Sequence, residues 1–194
     1  PEAAKPRGEV VSGVILNPEY IAKSYYPERL FKFYGLKSVG SKPTLIMPER
    51  RSKGREPEEK HSTQLFVAGP VSNFRRLIAD IEQGAIVESV QEELTALETI
   101  DAVDTSAKIK GKFTEMELSP LEVVLHAGEF RNDIYIIEAF RDYIAELGLS
   151  ADFDHRFHAG GLCFIRMRAP KGQLTEIAKF SYLPALREMP RLRG

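Results

Sequence analysis

The densest group of chemistry-bearing side chains in this 194-residue chain is DFDHRFHAGG, which holds Asp152, Asp154, His155 and His158. Histidines mixed with carboxylates are a donor set for zinc and related metals. The spacing argues against a shared centre, because residues of odd separation on a strand point to opposite faces and His155 and His158 diverge unless the hairpin bends. The stretch therefore reads as a solvated hairpin with salt bridges, and no metal or other cofactor is expected. Nucleophilic catalysis would need a serine or cysteine beside a base and an oxyanion hole. No Gly-x-Ser-x-Gly elbow occurs, and neither GxxxxGK[ST] nor GxGxxG is present to cradle a phosphate. The single cysteine, Cys163, lies between Leu162 and Phe164, the surroundings of a buried, inert thiol. Asp104-Thr105-Ser106 has the look of a catalytic aspartate segment but lacks its glycine. No catalytic residue is assigned.

The elements that would position these side chains follow from apolar periodicity. From Leu121 onward the pattern spells strand, helix, strand, strand, helix, strand, the order of the split βαβ, ferredoxin-like unit. LEVVLHAG (121–128) alternates as a strand. Ile137, Phe140, Ile144 and Leu147 then recur at spacings of three and four, as in a helix over 132–147 that ends at Gly148. Residues 152–158 alternate Phe153, His155 and Phe157 against Asp154 and Arg156. Ala159, Gly160 and Gly161 turn the chain into 162–168, where Cys163, Ile165 and Met167 share one face and Leu162, Phe164 and Arg166 the other. A short helix over 173–179 precedes a last strand over 181–188, which Pro184 confines to the sheet edge.

The N-terminal half repeats the plan. EVVSGVIL (9–16) is a strand, and Asn17-Pro18 opens a helix to Tyr34 that Pro27 must bend or divide. Residues 36–47 are extended. In 48–61, nine of fourteen residues are charged, as expected of an exposed loop. STQLFVAG (62–69) is the third strand, 73–81 the second helix, and the fourth strand falls within 93–104. Expected domains are thus 1–104, a linker over 105–120, and 121–194: an α+β protein of two tandem ferredoxin-like βαββαβ units, with antiparallel sheets and helices on one face.

Apolar residues make up 43% and charged residues 28%, with net charge −1, so no polyanionic partner is favoured. Sheets of this kind bind RNA by stacking bases on aromatics of their central strands, and Phe164 with Arg166 and Arg168 hints at that use. The Lys/Arg-Gly-Phe-Gly-Phe type of strand and a basic excess are both missing, so no nucleic acid is expected. No apolar run approaches the ~18 residues that span a bilayer, so no membrane is expected either. One cysteine permits no intrachain disulfide, which fits the cytoplasm. The chain opens on Pro1, as a processed piece of a longer protein would.

The segments NPEYIAKSYYPERLFKFYGLKSVGSKP, HSTQLFVAG, LEVVLHAG, HAGGLCFIRMRAP and IAKFSYLPALREMPRLR together resemble the region preceding the catalytic domain in a group of bacterial subtilisin-like serine peptidases. The resemblance covers most of the chain, and the catalytic signature of that family is absent from it. It implies a non-catalytic, propeptide-like module that acts as intramolecular chaperone and protease inhibitor, or docks substrate or another protein. Its partner would be a subtilisin-like catalytic domain of the same polypeptide or a processed chain. The sheet face would then offer Leu162 and Phe164, and the tail Met189, Pro190, Arg191, Leu192, Arg193 and Gly194 would lie in the substrate cleft. The alternative is a ligand-sensing or scaffold protein in which paired ferredoxin-like units form a continuous sheet or dimerise.

Overall fold

A computed structural model describes residues 1–47 and 58–190. The chain divides into two compact units, Glu9–Val103 and a second made of Pro1–Gly8 with Asp104–Gly194.

In the first unit, β1 (Glu9–Leu16) leads through two short 3-10 turns to helix α1 (Glu28–Phe33), then to β2 (Lys37–Ile46), β3 (Lys60–Pro70), helix α2 (Val71–Glu82), the single-turn helix α3 (Glu88–Gln91) and β4 (Leu97–Ala102). The strand order is β2-β3-β1-β4, with every neighbouring pair antiparallel. This is the ferredoxin-like arrangement. The helix expected over 18–34 breaks at proline: Pro18–Tyr20 and Lys23–Tyr25 are 3-10 turns, and α1 starts only after Pro27. A proline disfavours helical geometry in the residue before it, here Tyr26, which is extended at φ −62° and ψ 135°. One sheet face buries Val14, Leu16, Leu65 and Val67 beneath Leu30, Phe31, Tyr34, Phe74 and Leu77. Each such side chain contributes about 1.5–3 kcal/mol when fully buried. Most of the charged loop expected over 48–61 lies outside the described residues, while Lys60 and His61 already belong to β3.

In the second unit, the two-residue strand β5 (Ile109–Lys110) precedes β6 (Ser119–Leu125), helix α4 (Ile134–Glu146), β7 (Ala151–Ala159), β8 (Leu162–Ala169), helix α5 (Leu174–Ala178) and β9 (Ala185–Glu188). The order is β5-β9-β6-β8-β7, the same fold with one strand added in parallel. The α+β reading of two ferredoxin-like units therefore holds. Three expectations are corrected. The 105–120 segment, read as a linker, supplies β5 and a buried lysine, Lys108, and so is part of the unit. Because β5 pairs with β9, the last strand is internal, and Pro184 stands before it rather than within it. Residues 1–8 join this unit and not the first: the Ser181 N–H donates to the Ala4 carbonyl at 2.8 Å, and the Arg7 guanidinium lies 3.7 Å from the Tyr135 ring centre.

The core of the second unit is aromatic. Phe140 meets Phe153 and Phe180 edge-on at centroid distances of 6.2 and 5.1 Å, and Tyr143 stacks on Phe180 at 5.8 Å. Such contacts add about 0.5–1.5 kcal/mol each beyond burial. Lys108 is 6% exposed, and its ammonium donates to the carbonyls of Ala178 and Phe180 at 3.0 and 3.1 Å. It thereby satisfies acceptors that the end of α5 leaves open. Burial pushes its pKa down to about 8.

Candidate functional site

The hairpin that drew attention in the sequence is bent. Between the Asp152–Arg166 and Phe157–Phe164 partners β7 advances five residues and β8 only two. The intervening bulge reverses the alternation expected for 152–158. Phe153 is buried, whereas Phe157 is 64% exposed and lies beside Phe164 at a centroid distance of 6.0 Å. The Asp152 carboxylate accepts the His155 backbone N–H at 3.2 Å and faces its Nδ1 at 2.9 Å. Those contacts hold its carboxyl below the usual range, with Arg166 adding to the effect. His158 turns away, its Nδ1 3.3 Å from the Ala127 carbonyl oxygen. Among the described residues no group of three or more potential ligands could hold a metal ion.

The other residues singled out by sequence are placed as follows. Cys163 is fully buried and burial pushes its thiol up to about 11, far from the thiolate form. The Asp104 carboxylate accepts the Ser106 N–H and hydroxyl at 3.0 and 2.8 Å, a turn-forming role. Leu162 and Phe164 are half-buried and lie on the sheet face away from Cys163 and Ile165. The Met189 N–H donates to the Pro120 carbonyl at 2.9 Å, which extends the β6–β9 ladder, and Pro190 is exposed. Arg191, Leu192, Arg193 and Gly194 lie outside the described residues.

Two concavities are better candidates for binding. In the first unit, the connection between β1 and α1 and the segment before β4 enclose about 530 Å³, lined by Tyr20, Tyr25, Tyr26, Lys23, Arg29 and Glu92 with Glu93 beside them. That volume falls in the range of small-molecule sites. One wall, at Ala96, is tied to Asn17, whose N–H donates to the Ala96 carbonyl at 2.8 Å and whose Oδ1 accepts the Glu19 N–H at 3.0 Å. Tyr20 and Tyr25 pack edge-to-face at 5.7 Å. Glu93 closes the other wall, accepting the backbone N–H groups of Arg29 and Leu30 at 3.1 and 3.4 Å and the Arg29 Nε at 2.9 Å. A carboxylate from a distant segment thus caps α1, whose preceding residue Pro27 has no side chain for the task. Arg29 and Glu93 are occupied with one another, which leaves Lys23 as one cation and Glu28 and Glu92 as two anions beside three phenol rings.

In the second unit, a groove of about 710 Å³ runs past Leu118, Leu149, Asp152, Arg166, Arg168 and Met189. Sequence reasoning missed both places. The apolar spacing absorbs the tyrosines into one long helix, although Tyr25-Tyr26-Pro27 carries the signal of a break. The groove is built from elements distant in sequence, and only the alternation of Arg166 and Arg168 on one strand face pointed to it.

No family model matches the chain, and no curated protein does. Among solved structures the chain is similar to one described as "Crystal structure of putative glycine cleavage system transcriptional repressor", at 11% identity, a TM-score of 0.28 and coverage of 87% of each chain. The likeness is to a protein described as a transcriptional repressor, where the sequence pointed to a peptidase propeptide. The reading of this chain as the chaperone, inhibitor or docking module of a subtilisin-like catalytic domain is corrected accordingly. Among the described residues no helix is long and apolar enough to cross a membrane.

Proposed function

We propose that the protein is a ligand-sensing protein built of paired ferredoxin-like units, with a small zwitterion as the ligand of the first unit. The observation that carries this reading is the tyrosine-lined pocket, where Lys23 offers a positive charge and Glu28 and Glu92 offer negative ones. A carboxylate of the ligand would face Lys23, and its ammonium would face Glu92 and the rings, which attract cations through their electron-rich faces. The pocket is formed by a connection held at both ends, by Asn17 and by Glu93, so occupancy would stiffen the entry to α1. The cytoplasm suits such a protein, whose single cysteine is a buried thiol.

Thermal denaturation in the presence of each of the common L-amino acids tests this. At least one should raise Tm at millimolar concentration, and Tyr25→Ala or Lys23→Ala should remove the shift while leaving the ligand-free Tm within a few degrees. A panel without any shift would sink the reading.

A further inference from the structure

We infer that the groove of the second unit binds an amphipathic monocarboxylate, an apolar chain ending in one carboxylate. The inference extends the ligand-sensing reading to another cavity and rests on that reading for its biological use.

The groove has a cationic end and apolar walls. Arg166 and Arg168 are two residues apart on β8, so both guanidinium groups leave the same sheet face. Their neighbours decide whether that charge is available. Arg166 sits between Glu122 on β6 and Asp152 on β7. Glu122 is already paired with Arg187, whose Nε donates to it at 2.7 Å, and Asp152 is engaged by His155. Arg168 stands opposite Pro120, which brings no charge, and makes no ion pair among the described residues. The lining therefore sets two guanidinium groups against one carboxylate, Asp152, and has a place for one further anion.

The class of anion follows from the walls. Guanidinium matches a carboxylate through paired N–H donors, a geometry that an ammonium group cannot reproduce. Leu118, Leu149 and Met189 line the same space, and an unbranched thioether adapts its shape to a flexible chain. An inorganic anion would leave these walls wet, whereas a chain of several methylenes gains about 0.8 kcal/mol for each one buried. The volume of about 710 Å³ accommodates such a molecule.

Isothermal titration of the full chain with sodium octanoate tests the inference, with acetate, octylamine and octyl phosphate as comparison probes. Octanoate should bind saturably, acetate at least tenfold more weakly, and octylamine not at all. Arg168→Gln should weaken octanoate at least tenfold without altering the ligand-free Tm, since the side chain is exposed. Amide resonances of Gly148 to Asp152 and of Met189 should shift on titration. Equal octanoate affinity in the wild type and Arg168→Gln, or binding of octylamine as tightly as octanoate, would overturn the inference. A preference for octyl phosphate would overturn the carboxylate assignment. None of these outcomes depends on the tyrosine pocket, which Tyr25→Ala tests separately.

Discussion

Both units order their strands fourth, first, third, second, yet the path that leaves the first strand differs between them. In the N-terminal unit that path spends residues 17–27 on two 3-10 turns before a six-residue helix. In the C-terminal unit residues 126–133, with a single 3-10 turn at Arg131–Asp133, lead into a thirteen-residue helix whose inner face carries Ile136, Ile137, Phe140, Tyr143 and Ile144. The first unit thus gives chain length to a concave surface, and the second gives it to packing. One topology tolerates both because the sheet register is set by the strands, and the crossover only has to return the chain to the sheet's covered face. The C-terminal concavity accordingly arises elsewhere, at the strand ends around Arg168.

The contrast can be broken most severely at the aromatic core. Phe140→Ala should cost about 3–5 kcal/mol and strip hydrogen-exchange protection from β6 and β8, while β1 and β3, which have their own core, keep theirs. Loss of protection in both sheets would mean that the two cores are not independent. Next in size is a pair within the first unit. A methyl group at Gly69 would collide with Leu36 Cδ2 and meet the Gly35 carbonyl oxygen at 3.3 Å, whereas at Gly13 it would meet only the Gln64 side chain. Urea denaturation should therefore show Gly69→Ala costing about 1–3 kcal/mol and Gly13→Ala clearly less, since Gln64 can swing aside.

A smaller effect bears on the pocket itself. Glu93→Ala removes the cap of α1 and should cost about 1–2 kcal/mol, and it should also lower the affinity for the zwitterion in calorimetry, because one wall is unfastened. The smallest effects are opposed pH dependences. The Tyr34 hydroxyl donates to Asp80 at 2.6 Å, and burial, reinforced by that bond, pushes its pKa up to about 12. Above pH 10 the unfolded chain releases this proton first, so the contribution of Tyr34 is complete below 10 and fades as pH rises toward 12. Lys108, pushed down to about 8 from an ordinary 10.5, does the reverse. Between those values the folded state holds fewer protons than the unfolded, so stability rises with pH. Denaturation curves of Tyr34→Phe and Lys108→Met against wild type from pH 7 to 11.5 should diverge in these opposite senses.

The C-terminal strands and α4 were legible because alternation and the three-four spacing were uninterrupted from Leu121 to Met167. What escaped was decided by contacts between distant residues. Lys108 reads as a solvated charge until the carbonyls of Ala178 and Phe180 are brought to it. Ile109 and Lys110 are too short a run to declare a strand, and only β9 makes them one. Alternation through 152–158 assumed a regular ladder, and the bulge shifted Phe157 to the opposite face from the one its parity gave. In the N-terminal half, apolar residues at 21, 25, 30 and 33 mimicked a helical stripe across Pro27, although Ile21, Tyr25 and Phe33 are exposed. Neither candidate cavity has a linear motif, because each is assembled from segments that fold together only in three dimensions.

The bulge has a consequence for how the molecule behaves in a crowd of its own kind. β7 is the outer strand of its sheet, and a straight outer strand with unpaired N–H and C=O groups is a template on which a second chain can lengthen the sheet. Here the strand leaves the ladder for residues 153–156, and Asp152 and Phe153 use side-chain and main-chain oxygens to receive the His155 N–H and the Arg156 guanidinium. Two of the main-chain groups that an incoming strand would seek, the His155 N–H and the Phe153 carbonyl, are already engaged, and the line it would follow is interrupted. The device that hid the face of Phe157 from the sequence also makes this border of the sheet self-terminating.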